Sequence, residues 1–255
     1  MNFLEIRLPI GSENLFTGIN LFFLAFSHYN SRKSICNEIC RVPFLANSLE
    51  ECIFYKSSVP EYDYTIVARS VDSAFLASLF SDDKIRQNIA KMTPLEALKF
   101  AQNHPNKCNF PYEHRFNLMC KLLDIKFRSN VSNLTNLLKT GSAFLINYND
   151  TQNHNMELDN SYGFELTLVG LALMRVRYLL AIEFQDFIKE KELISKGAFR
   201  AVLSTQEFLN QFIKIETGEL RRNYEKKWRT IVRIVLDSYH AHEQEFLKKS
   251  SIKTI

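Results

Sequence analysis

Glycine and proline are scarce, seven and six in 255 residues. Sharp turns are therefore few, and helices are favoured over a turn-rich all-β architecture. One tryptophan stands against twenty-one phenylalanines, which supply bulky core filling without polar atoms. Five cysteines (36, 40, 52, 108, 120) form no array that suggests a disulfide framework, which fits a reducing compartment. Cys36 and Cys40 have no second ligand pair at a useful spacing, so no metal is expected, and no cofactor. Long hydrophobic runs are missing too. The apolar stretch from Ile19 to Phe26 has no basic region ahead of it and is too short to cross a bilayer. It reads as a buried strand or helix, and the expectation is a cytoplasmic protein without a membrane partner. A formal charge of +4 permits an anionic ligand without announcing a nucleic-acid binder.

What is present is globular. Apolar residues make up 46% and charged residues 24%, enough to bury a substantial core. Residues 1–26 read as one or two strands around the turn "PIGSEN", and 27–63 as irregular and polar. "YTIVAR", 64–69, is β-branched and strand-like. Helices are predicted from about Asp72 and from Asp82 to Met92. "TPLEALKFAQNH" carries Thr93 as N-cap, Pro94 at the first helical position and Glu96 to close a capping box. "YEHRFNLMCKLLDIKFRSN" repeats Phe116, Met119, Leu123 and Phe127 at helical spacing. "VSNLTNLLKTG" is a short helix with Gly141 as its stop, and "AFLINYND" a strand. A polar loop leads to "ELTLVGLALMRVRYLLAIEFQDFIKEKELI", one long helical run. Beyond Ile194 no strand signal occurs. A second capping box is read at Ser204 and Glu207, and residues from 221 onward form a long amphipathic helix.

Several of these pieces, in this order, resemble the NADAR family, the YbiA-like fold. "TLVGLALMRVR", 167–177, is similar to the family's closing helix, N-L-L-G-x-A-L-M-x-V-R. "KLLDIKF", "NLLKTGSAFLINYND" and "IAKMTPLEALKFAQ" resemble its M-x-x-x-L-x-x-K-F helix, its L-L-x-T-G turn into a strand and its A-x-T-P-x-E-A helix. "FLANS", 44–48, is similar to the N-terminal F-L-S-N-F motif. The resemblance covers about residues 20–177. It implies an α+β, mainly helical domain with a small sheet over 1–178, including the N-terminal strands of 1–26. A helical extension over 179–255 would follow.

The resemblance also implies an N-glycosidase. Family members cleave a base–ribose bond in riboflavin-pathway intermediates or remove ADP-ribose from guanine in nucleic acid. Their acid lies in a motif T-S/V-E-H-x-F/Y-Q-A-x-K-F at the start of a helix. Counting back from Pro94 without gaps, that acid falls on Asp72 and the closing phenylalanine on Phe80. Cleavage builds positive charge at C1 of the ribose and negative charge on the departing base, so a carboxylate beside the sugar is the first requirement. Asp72 keeps the charge one methylene short. Other positions depart: Leu79 stands for the motif lysine, Ser73 for the histidine, Gln102 for an arginine and Thr167 for an asparagine. The D-x-x-W-G signature has no W-G, leaving Asp150 as the second candidate acid. Asn47 is the site amide that persists, and His114, near the start of a helix, is placed to approach a phosphate. Pro94, Ala97, Met119, Lys126, Phe127, Gly141, Gly170, Met174 and Arg177 persist as packing positions.

Each candidate has a plainer reading. Asp72 can be a helix N-cap, Asp150 a strand-end turn residue, Asn47 a loop amide bonded to its own backbone and His114 a solvated side chain. In the last helix Arg222, Lys226, Arg229 and Arg233 make a basic stripe beside Leu220, Tyr224, Trp228, Ile231 and Val235. That stripe is either a solvated face or a contact for phosphates of a nucleotide or nucleic acid. Two functions stay open. One is a divergent hydrolase of a ribosyl or ADP-ribosyl N-glycosidic bond, its ligand ADP-ribose or a ribosylated nucleobase. The other is a catalytically silent domain that binds ADP-ribose, a nucleotide or a protein partner.

Overall fold

The structure is a computed structural model that describes residues 4–7, 20–27, 43–45, 47, 51–56, 65–104, 112–141, 143–148 and 166–204. It is an α+β fold, mainly helical. Strands β1 (Leu4–Arg7), β2 (Asn20–Ser27) and β5 (Phe144–Tyr148) form one sheet in the order β1-β2-β5. β1 and β2 are antiparallel, while β2 and β5 run parallel from the pair Phe23–Phe144 to Ser27–Tyr148. A parallel pair cannot be joined by a hairpin, and here the connection holds the greater part of the helical body. The second sheet is β3 (Ile53–Lys56) against β4 (Thr65–Ala68), antiparallel.

β4 was legible in "YTIVAR"; β3 corrects the reading of 27–63 as irregular throughout. Four residues of strand with polar flanks give little signal, although "IFYK" alternates as a half-buried strand should. Ile53 and Tyr55 turn inward and pack with Ile66 and Ala68.

Helix α1 (Val71–Ser78) follows β4, and every one of its residues is buried. It is surrounded by α2 (Asp83–Lys91), α3 (Pro94–Asn103), α4 (Tyr112–Arg128), β3 and β4. The helix stops and starts read from sequence are present. Asp82 caps α2 through a bond from Ile85 N–H (3.0 Å). At α3 the Thr93 hydroxyl accepts from Glu96 N–H (3.3 Å) while Thr93 N–H donates to the Glu96 carboxylate (2.9 Å).

Helix α5 (Val131–Lys139) is capped by Asn130 and ends at Gly141, whose φ of 57° lies in the left-handed region. Arg177, from α6 (Leu166–Glu183), secures the turn that follows. It is fully buried, and its Nη1 donates to Thr140 Oγ1 (2.7 Å) and to the Ala143 carbonyl (2.9 Å). Burial pushes the guanidinium down to about 9. The T-G turn and the arginine of the closing helix are thus one structural unit holding the entry to β5. Gly141→Ala is expected to destabilise the protein by about 1–2 kcal/mol, because a Cβ is disfavoured at positive φ. Chemical denaturation monitored by circular dichroism measures this.

The long helical run predicted for 165–194 is two helices. α6 ends at Glu183, and α7 (Gln185–Glu190) begins after Phe184 at φ −96° and ψ 18°. Arg128, at the end of α4, forks onto the Glu183 carboxylate, tying the ends of α4 and α6 together. α8 (Lys196–Ser204) packs on α6 and α5. Ser204 is helical and is the last described residue of α8; the capping box read at Ser204 and Glu207 extends outside the described residues. Position 178, the sequence-derived end of the first unit, lies inside α6. Among the described residues no helix is long and apolar enough to cross a membrane.

Candidate functional site

The start of α1 is built by serine rather than aspartate. Ser70 is the N-cap, its Oγ accepting from Ser73 N–H (3.1 Å), so the reading of Asp72 as the cap is corrected. Ser73 Oγ donates to the Met92 carbonyl (2.9 Å), fixing this end of α1 to the end of α2. Asp72 sits at the second helical position with only 6% of its surface exposed. The first turn of a helix favours a negative charge, since its N–H groups point outward without intrahelical acceptors.

Asn47 lies beside it. The Asp72 N–H donates to the Asn47 carbonyl (3.3 Å), and the Asn47 side chain is fully buried, its Nδ2 against Met119 Sδ (3.3 Å). A loop amide bonded to its own backbone is therefore not what Asn47 is. Its Oδ1 is buried without a hydrogen-bond partner among the described residues, leaving an acceptor for a ligand or water. Two of the residues expected at the site, Asp72 and Asn47, are thus brought together.

Lys126 completes the cluster. It lies two turns along α4 from Met119, on the same face, and is buried to 1%. Its ammonium is 3.9 Å from Glu51 Oε2 and also feels the charge of Asp72. Asn133, in the first turn of α5, donates from Nδ2 to Glu51 Oε1 (2.7 Å), which orients that carboxylate. Burial pushes the Lys126 ammonium down to about 8, and the Glu51 and Asp72 charges oppose the fall. Glu51 is the partly exposed member, with 27% of its side chain open. The buried ammonium thus has a partly exposed carboxylate at 3.9 Å and lies within the field of a buried one.

Lys126 and Glu51 were missed from sequence, where Lys126 counted as packing and Glu51 carried no signal. A charged residue inside the apolar repeat Phe116, Met119, Leu123, Phe127 was the available clue. A lysine there must find a carboxylate or shed its proton.

The other expected site residues stand apart or outside the described residues. Gln102, in the last turn of α3, is exposed. His114 is exposed at the beginning of α4, about 18 Å along the helix from Lys126. Leu79, standing for a motif lysine, is fully buried at the end of α1 and places no cation there. Thr167 is the second residue of α6. Asp150, Arg222, Lys226, Arg229 and Arg233 lie outside the described residues. Among the described residues no group of histidine, cysteine, aspartate and glutamate is placed to hold a metal ion.

No family model and no curated protein sequence matches the chain. Among solved structures the chain is distantly similar to the NMR structure of the E. coli protein YbiA. The likeness covers 70% of this chain and 96% of that one, with 19% sequence identity and a TM-score of 0.45.

Proposed function

We propose that the chain hydrolyses an N-glycosidic bond to ribose, in a ribosylated nucleobase or an ADP-ribosyl adduct, at the Asp72–Lys126–Glu51 cluster. The observation that carries this reading is Lys126, a buried ammonium 3.9 Å from Glu51 Oε2, within the field of the Asp72 carboxylate and lowered to about 8. Perturbed ionisable groups of this kind gather at reactive sites. An acid in that range is protonated at neutral pH and still gives up its proton readily.

The C1–N bond breaks and its electron pair stays on the base nitrogen, which takes a proton from the Lys126 ammonium. The Asp72 carboxylate steadies the positive charge at C1 and removes a proton from the water that adds there. That proton returns from Asp72 to Lys126, restoring both groups. Glu51, aligned by Asn133, holds the ammonium in place between turnovers. The buried acceptor Asn47 Oδ1 suits a ribose hydroxyl.

A second reading is a domain that binds ADP-ribose or another nucleotide without turning it over. Leu79 and Gln102 favour it, because neither supplies the cation that the family motif places there. Liquid chromatography of ribosylamino and ADP-ribosyl-nucleobase substrates incubated with the protein separates the two readings. Release of free base or ADP-ribose is expected. Calorimetric binding of ADP-ribose with no product from any substrate would leave the binding domain.

A further inference from the structure

We propose a second ligand site, distinct from the acid–lysine cluster, that takes a phosphomonoester with an apolar or aromatic body. It is the hollow between α7, the 191–195 connection and α8, with a volume of about 570 Å³. Small-molecule sites span roughly 300–1,000 Å³ and are mostly apolar with a few polar groups.

This hollow has that division. Ile188, Ile194 and Phe199 form an apolar wall, and Ile188 is fully buried in the main core. Lys189, Lys196 and Arg200 stand around it with Glu192 as the opposing acid, an excess of two positive charges. A phosphomonoester carries about two negative charges at neutral pH. The guanidinium of Arg200 offers a planar fork for two of its oxygens, and the lysines add point charge.

The connection is shaped rather than slack. α7 ends with Leu193 N–H bonded to the Ile188 carbonyl (3.1 Å) and Glu192 N–H to the Lys189 carbonyl (3.3 Å). This is the paired closure that usually employs glycine, yet the left-handed residue is Glu192, at φ 47°. The closure holds Glu192 and the two isoleucines around one hollow, with an acid at a backbone conformation that glycine would occupy at lower cost.

Isothermal titration of the full chain with adenosine monophosphate and with octyl phosphate tests the site. Both carry the phosphomonoester and differ in the body. At least one is expected to bind, several-fold more weakly when salt rises from about 50 to 300 mM. The exposed double variant Lys196→Glu/Arg200→Glu should fold as the parent does and lose at least about tenfold in affinity, while Glu192→Gln gains. Tighter binding of adenosine monophosphate assigns an aromatic body, and tighter binding of octyl phosphate an alkyl one. No binding of either ligand overturns the proposal. So does affinity that charge reversal leaves unchanged, since the ligand would then sit elsewhere.

Discussion

Asp72→Asn is expected to lower single-turnover release of the base about a thousandfold. The asparagine has the same size and fits the same first turn of α1, so the fold and the Asn47 contact should survive. What it loses is the charge beside C1 and the ability to take a proton from water. Each such contribution is worth on the order of 10²–10⁴ in rate. Substrate affinity should change much less, because the interaction lost belongs to the transition state. Quenched-flow analysis of product with enzyme in excess is the measurement, with thermal denaturation as a control for folding. A variant that turns over at the parental rate would remove Asp72 from the chemistry and with it the proposed reaction. Asp72→Glu keeps the charge on a side chain one methylene longer. A shift of about 1 Å in a catalytic group can cost on the order of a hundredfold, so this variant should fall between the parent and Asp72→Asn.

Lys126→Met should abolish turnover yet leave the protein at least as stable as the parent at neutral pH. Methionine fills the same buried space with no ammonium to desolvate, and Glu51, partly exposed, can regain water. Asp72 is then left buried without its cation, so Asp72→Asn made in the same chain should add stability, a coupling that a double-mutant cycle reads directly. The pH dependence has a defined sign. In the fold Lys126 titrates at about 8, below its ordinary 10.5. Between those values the unfolded chain holds the extra proton, so stability attributable to this residue rises with pH through that window. The burial penalty is full below pH 8 and has gone above about 10.5. The slope is at most about 1.4 kcal/mol per pH unit. Urea denaturation from pH 7 to 10.5, parent against Lys126→Met, isolates this from other groups that titrate there. Identical slopes in the two proteins would mean that Lys126 is not a buried ammonium.

How much of this was readable from the chain depends on distance along it. The cap at Thr93, the stop at Gly141 and the start of α1 are local, and the sequence located all three within a residue or two. The candidate acid at 72 was picked out by register alone, two positions beyond the serine that does the capping. The charge cluster was not readable, since Lys126, Glu51 and Asp72 come from a helix, a loop edge and another helix. Asn47 meets Met119 across 72 positions and Asn133 meets Glu51 across 82, separations over which a single sequence carries no pairing signal. The division of 165–194 escaped for another reason. The apolar pattern continues through Phe184, and the break is made by backbone angles there, without proline or glycine.

Helix α1 is short, yet it has no outward face. Its amide protons after the first turn can reach solvent only when the packing on all sides of it is lost. Hydrogen–deuterium exchange at Phe75–Ser78 should therefore proceed at the rate set by whole-molecule opening, while exposed strand positions such as Phe54 and Val67 exchange sooner. Exchange in that order would mean that Asp72 is anchored to the last part of the protein to come apart, its carboxylate keeping its bearing through every smaller excursion of the chain around it.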